Sequence, residues 1–211
     1  MLNVSSQYRM KTLYAFDFDG TITDRDTLIG FIASVFGTTR MLLGFAANLP
    51  WLLLMRLGLY DNGKTKQRVF SHFFSGMDLV TFNRHCKAYA EQNRHIIRPE
   101  MLRLLQTLDK EKTDMVVVSA SITNWVAPFF HGLNIKVIGT EAETAGGSLT
   151  GRFATPNCYG SEKVTRLSAF FPERDTYNLV AYGDSRGDRE LLEYADVSYF
   201  KGQPFAKNPH L

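Results

Sequence analysis

Two aspartates stand one residue apart in Asp17-Phe18-Asp19-Gly20-Thr21, at the end of the apolar stretch Leu13–Phe18. Alternation along a strand turns Asp17 and Phe18 to opposite faces and returns Asp19 to the side of Asp17. Carboxylates held that close repel each other unless a cation neutralises them or a proton is shared. A bound Mg²⁺ meets that need, and it frees one carboxylate to act as a nucleophile and the other as a proton donor.

Other reactive residues close further apolar stretches. Ser119-Ala120-Ser121 ends the run from Met115, offering a hydroxyl and backbone N–H groups suited to phosphate oxygens. Lys163 opens a later helix, and Gly183-Asp184-Ser185-Arg186-Gly187-Asp188 follows Leu179–Tyr182 and adds two acids. Taken singly, Ser119 reads as a helix cap, Lys163 as a surface residue and Asp188 as a capping acid. Together, four carboxylates, a lysine and a serine at neighbouring strand ends make a site for a hard divalent cation and a phosphate. Ligands of an open parallel sheet bind there, outside the carboxyl ends of the strands.

The elements that must position these groups are short runs rich in Val, Ile, Tyr and Phe. Strands are expected at Leu13–Phe18, Met115–Ser119, Ile135–Gly139 and Leu179–Tyr182, with a weaker one at Val197–Phe200. Helices fall between most of them, one opened by Pro99-Glu100 and another at Lys163–Phe171. This alternation predicts an α/β fold with a parallel sheet covered on both faces. The stretch after Gly139 reads as a small hairpin turning at Gly146-Gly147. From Asp26 to about Ile97 there are helical apolar patterns and no strand, so 26–97 reads as an inserted helical cap. Residues 11–25 and 98–205 then form the core, and 1–10 an N-terminal tail.

Charge divides along the same lines. Between Asp26 and Arg98 nine basic residues face four acids, Asp26, Asp61, Asp78 and Glu91, a balance of +5 against +3 for the whole chain, so the rest carries −2. A basic cap suits a small anionic substrate or lipid headgroups. At 45% hydrophobic and 21% charged residues, the composition excludes a disordered or collagen-like chain. Met41–Met55 is uncharged but falls short of the ~20 residues a membrane span needs, and Pro50 interrupts it, so a buried or interfacial helix is expected. The N-terminus lacks the apolar core of a secretory signal. Two cysteines, Cys86 and Cys158, cannot build a disulfide framework, which points to a reducing, cytoplasmic setting. No nucleic-acid motif is present, and basic residues are not interleaved with aromatics as a single-strand groove requires. The oligomeric state is left open.

In order and spacing, DFDGT at Asp17–Thr21, VVVSAS ending at Ser121, Lys163 and the GDSRGD run resemble the haloacid dehalogenase superfamily, specifically its phosphoserine-phosphatase-like branch with a helical cap after the first motif. The resemblance covers Leu13 to Phe200 and implies a Rossmann-like core. It further implies that Asp17 attacks phosphorus to form an aspartyl-phosphate, while Asp19 protonates the leaving oxygen and later activates water. The implied Mg²⁺ ligands are Asp17, Asp19 through its backbone carbonyl, Asp184, and Asp188 through water. Ser119, Ala120, Thr21 and Lys163 would bind phosphate. An acid two residues after the nucleophile favours a phosphatase over a dehalogenase.

The same resemblance gives candidate substrate contacts. Asp26 matches the acid that holds the ammonium of phosphoserine, and Arg68, in Gln67-Arg68-Val69, matches the cap arginine that holds its carboxylate. Gly187 replaces the usual Asn of the last motif. Leu49–Leu54 and Cys158–Lys163 also look like the phosphatidylglycerophosphate phosphatases of this branch, which implies peripheral membrane contact through the cap. The expected activity is therefore Mg²⁺-dependent hydrolysis of a small phosphomonoester, with a lipid phosphate as the alternative. A phospho-accepting signalling module without turnover is the alternative from another class.

Overall fold

Met115 to Val118 are apolar without a break, as they must be in a central strand covered on both faces of a parallel sheet. In the computed structural model, which describes residues 10–206, this run belongs to a six-stranded sheet. All of the N-terminal tail read at 1–10 except Met10 lies outside the described residues. In chain order the strands are β1 (Lys11–Phe16), β2 (Asp114–Ile122), β3 (Ile135–Thr140), β4 (Ala142–Ala145), β5 (Ser148–Phe153), β6 (Tyr177–Gly183), β7 (Val197–Phe200) and β8 (Gln203–Pro204). The sheet runs β3-β2-β1-β6-β7-β8, parallel except for β8, while β4 and β5 pair as a separate antiparallel hairpin. β1 lies at the centre, with Phe16 in register with Val117 on one side and Tyr182 on the other.

Helices α1 (Thr27–Phe36), α2 (Thr38–Arg56), α3 (Asn62–Phe74) and α4 (Leu79–Gln92) form the segment between β1 and β2. The remaining helices are α5 (Pro99–Lys110), α6 (Thr123–Val126), α7 (Ser161–Phe170) and α8 (Arg189–Tyr194). Alternate residues of the strands feed two cores. Leu13, Ala15, Val116, Val118 and Leu179 pack with Leu167, Leu191 and Leu192 of α7 and α8. Phe16, Met115 and Val117 pack with Met101, Leu105 and Leu108 of α5, in a cluster that continues into the cap.

The start of three cap helices is set by one residue type. Asp26 accepts from Leu28 N–H, Asp61 from Lys64 N–H and Asp78 from Thr81 N–H, each at 2.8 Å, capping α1, α3 and α4. Three of the segment's four acids thus cap its own helices, each through one carboxylate oxygen. Phe31 of α1 meets Phe74, Phe82, Tyr89 and Trp125 with ring centroids 5.1–5.8 Å apart, and Trp125 lies on α6, so cap and core share one aromatic cluster.

Two chain crossings join the helical segment to the sheet. Thr23 and Ile97 form an antiparallel bridge, flanked by Asp24 N–H to Ile96 O and Arg98 N–H to Ile22 O, both 2.9 Å. The hairpin adds a third attachment. Two strands alone cannot stand independently, and β4–β5 covers its apolar side with the cap. Gly76 N–H donates to Leu149 O (2.8 Å), Leu149 N–H to Met77 O and Leu79 N–H to Gly147 O (both 2.9 Å), and Phe153 meets Phe70 at 5.6 Å. Leu149 is fully buried in this joint. Leu149→Ala is expected to cost about 2–5 kcal/mol, read as a loss of thermal stability by circular dichroism; an unchanged melting temperature would show that the hairpin contributes nothing to holding the cap.

Candidate active site

β1 ends at Phe16, but Asp17 N–H still donates to Tyr182 O (2.9 Å), which fixes Asp17 at the rim of the sheet. Phe18 turns the other way, buried against Phe129 and Phe130 at 5.2 and 5.8 Å, as the alternation requires. The chain then coils tightly through Phe18–Ile22, with Gly20 at φ 83°. A Cβ at Gly20 would lie 2.3 Å from Asp184 Oδ2, so both backbone and neighbour require glycine here. Asp184 follows β6 and accepts from Thr21 Oγ1 at 3.2 Å.

Lys163, in the first turn of α7, is 2% exposed and spends all three ammonium hydrogens. It donates to Asp17 Oδ1 and Asp188 Oδ1, each at 2.6 Å, and to Val118 O at 2.8 Å. The second oxygen of Asp188 accepts from Ser185 Oγ (2.7 Å), Ser185 N–H (2.9 Å) and Asp184 N–H (3.2 Å). Burial pushes Asp17 up to about 7 even though Lys163 pulls the other way. Asp184 is also raised, by burial and then by Asp188. Asp188 is buried too, yet Lys163 and Ser185 hold it below the usual carboxylate range. Lys163 is held above its usual range by the two carboxylates, against its own burial.

One ammonium cannot balance three carboxylates. Oxygens of Asp17, Asp184 and Asp188 lie within 4.8 Å of one another, an all-oxygen donor set with a net charge of −2 after Lys163 is counted. The set fits a hard divalent cation in both chemistry and charge.

Asp19 sits outside that cluster. Its Oδ1 accepts from Thr27 N–H (2.8 Å) and Thr27 Oγ1 (2.6 Å), and its Oδ2 from Ser121 Oγ (2.5 Å). Burial and then Asp26 raise its pKa. Ser119 is buried, and its hydroxyl accepts from Ser121 N–H at 3.1 Å. Pairing of β2 with β3 slips between Val118 and Ile122, so Ser119–Ser121 form a bulge in a strand that runs on to Ile122. The expected helix start lies beyond it, at the four-residue α6.

These groups form the floor of a cavity of about 470 Å³. Its roof comes from Asp26, Leu28 and Ile29 of the α1 end, Phe45, Leu52 and Met55 of α2, and Asn62, Thr65, Lys66 and Val69 of α3. Asp17, Asp19, Asp26, Ser119, Ala120, Lys163, Asp184 and Asp188 are brought together as the sequence predicts. Two expected residues are placed elsewhere. Arg68 is exposed and lies over the Trp51 ring at 4.2 Å, because it falls about 100° around α3 from Val69. The basic residue that α3 brings to the cavity is Lys66, whose Nζ donates to Ala120 O at 3.2 Å. Thr21 turns its hydroxyl to Asp184 and is not part of the cavity wall. The i, i+3, i+4, i+7 spacing of Asn62, Thr65, Lys66 and Val69 was the signal that marks Lys66. For Thr27 and Ser121, only their closeness in sequence to Asp26 and Ser119 offered one.

The sheet order, the inserted helices and the site gathered from β1, β2, β6 and the start of α7 accord with a hydrolase architecture, and the chain belongs to the haloacid dehalogenase-like hydrolases, whose family model matches residues 14–193. Protein CicA of Caulobacter vibrioides is 32% identical over 200 residues, covering 91% of this chain and 88% of that protein. Among solved structures, a protein of unknown function from Bordetella pertussis Tohama I superposes with a TM-score of 0.78 at 18% identity, covering 90% and 89% of the two chains. A probable phosphoserine phosphatase from Vibrio cholerae gives 0.66 at 16% identity, covering 89% of this chain and 55% of that one. The phosphoserine phosphatase from T. onnurineus gives 0.57 at 21% identity, covering 95% and 91%.

Two outcomes are expected from calorimetric Mg²⁺ titration. Affinity rises with pH up to about 7 and levels off above it, because below that value a proton on Asp17 must first be displaced. Gly20→Ala weakens binding by roughly tenfold or more, since the added methyl displaces Asp184; wild-type affinity in that variant would remove Asp184 from the ligand set.

Proposed function

We propose that the protein is a Mg²⁺-dependent phosphatase that hydrolyses a phosphomonoester through an aspartyl-phosphate on Asp17. The observation that carries this reading is the contrast between the two aspartates of one cavity floor. Asp17 accepts from the buried ammonium of Lys163 inside the carboxylate cluster, and Asp19, half-buried outside it, accepts from the Thr27 and Ser121 hydroxyls and the Thr27 N–H. A carboxylate held beside a lysine and a cation site is placed to attack, and one set apart among neutral donors is placed to carry a proton.

With Oδ1 engaged by Lys163, Asp17 attacks phosphorus through Oδ2. The bond to the ester oxygen breaks as Asp19 gives that oxygen its proton. Water then attacks the phosphorus, passing a proton to the Asp19 carboxylate, and the bond to Asp17 breaks to release inorganic phosphate. Ser119 and the backbone of the Ser119–Ser121 bulge hold the phosphoryl oxygens. Asp17, Asp184 and Asp188, with the main-chain carbonyl of Asp19, would hold Mg²⁺, which supplies the positive charge that lets an anionic phosphate approach a carboxylate. Residues 26–97 act as the cap over the cavity, with their hinge at the Thr23 and Ile97 crossings. The free, buried Cys86 and Cys158 accord with a reducing cytoplasmic setting.

The phosphoserine phosphatases among the structural relatives suggest a small soluble substrate, and Asp26 at the cavity wall is the group for its ammonium. The cavity roof favours a second reading. Arg68 is turned away, and Leu28, Ile29, Phe45, Leu52, Met55 and Val69 offer an apolar wall suited to a phosphomonoester with an apolar body, of the phosphatidylglycerophosphate type. Phosphate release with Mg²⁺ and with EDTA, across phosphoserine, sugar phosphates and phosphatidylglycerophosphate in mixed micelles, separates the two. Asp17→Asn is expected to abolish both turnover and acid-stable labelling by radioactive phosphate, and Asp19→Asn to slow both half-reactions by about 10²-fold or more. Turnover by Asp17→Asn would overturn the nucleophile assignment.

A further inference from the structure

α2 is apolar on every side, although only one side is packed. Met41, Gly44 and Asn48 are buried, and Phe45, Leu52 and Met55 border the cavity. On its outer side Leu42, Ala46, Leu49, Leu53 and Leu57 recur at helical spacing, and the four leucines are 50–71% exposed. A helix apolar all round belongs in an apolar surrounding, and an exposed patch of this kind marks an interaction surface. Among the described residues no helix is long and apolar enough to cross a membrane.

Charge decides what covers it. From Thr27 to Tyr60 the chain has no acidic residue, and the apolar stripe is closed at its two ends by exposed Arg40 and Arg56. Lys64 and Arg68 are exposed on the adjoining α3. A second copy docked by its own α2 around a two-fold axis would set arginines against arginines with no acid between them. An anionic lipid surface meets the same arginines with headgroup phosphates and the leucines with acyl chains. Exposed apolar side chains also reach the cavity: Ile29 of the neighbouring α1 is 51% exposed and lines the cavity wall as well.

We propose that the outer face of α2 seats the protein on an anionic bilayer, with the mouth of the cavity at the lipid–water boundary. This deepens the phosphatase reading, since such a mouth admits a phosphorylated amphiphile without lifting it into water, but the docking itself needs no turnover. The test is co-sedimentation of the full chain with phosphatidylcholine vesicles, with and without phosphatidylglycerol, in the absence of substrate. Binding is expected to the anionic vesicles and to weaken as salt is raised. The double variant Leu49→Glu/Leu53→Glu is expected to partition roughly tenfold more weakly or worse, while its hydrolysis of p-nitrophenyl phosphate stays within about twofold of wild type. Failure of the wild-type chain to bind, or equal binding by the variant, overturns the proposal. So does a dimer in analytical ultracentrifugation that the variant splits, with no vesicle binding by either form. Vesicle binding by a chain that hydrolyses no phosphate ester would uphold the docking and overturn the phosphatase reading instead.

Discussion

The ammonium of Lys163, buried between Asp17 and Asp188 with its third hydrogen on Val118 O, is the contact on which the site depends. It connects residues from four places in the chain: the residue after β1, the middle of β2, the first turn of α7 and the turn after β6. Removing one partner of such a buried group leaves an uncompensated charge, at a cost of about 3–5 kcal/mol. The contact also sets the electrostatic balance, because one positive charge among three carboxylates leaves the attraction for a divalent cation intact.

A second, lighter set of bonds links that centre to the helices above it. Thr27, at the first position of α1, gives both its N–H and its hydroxyl to Asp19, and Ser121 on the bulge of β2 holds the other oxygen. Asp19 thus bridges α1 and β2. Any shift of α1 changes the donors around this carboxyl group, and with them its readiness to release a proton. Position of the cap and protonation of the acid are in this way one variable.

Much of this was legible in the chain. The five strands expected in the main sheet occur, and Val197–Phe200 even keeps its bounds, because short runs rich in Val, Ile, Tyr and Phe favour extended chain. The aspartates were legible because acids seldom follow such runs without a task. What escaped depends on rotation and tertiary packing. Arg68 and Lys66 are two residues apart on one helix, and only the angle around α3 decides which meets the cavity. The hairpin was placed correctly by Gly146-Gly147, yet its sequence neighbours belong to the core and its packing partners to the cap. Nothing in Ser148–Phe153 alone names Gly76 or Met77 as the partner.

That hairpin has a mechanical consequence. A cap joined to its core by two adjacent crossings is a door on a single hinge. This one is clamped at a second edge, where Leu149 and Gly147 hold the turn between α3 and α4. Rotation about the Thr23–Ile97 hinge must then carry β4–β5 along with it or bend the cap itself. Among the described residues, α2 makes no hydrogen bond to the core, whereas α1 is tied to Asp19 through Thr27, so α2 is the margin of the plate with the fewest polar ties. The plate is therefore like a page bound along two edges, and the part of the cavity wall contributed by Phe45, Leu52 and Met55 lies on its unbound corner.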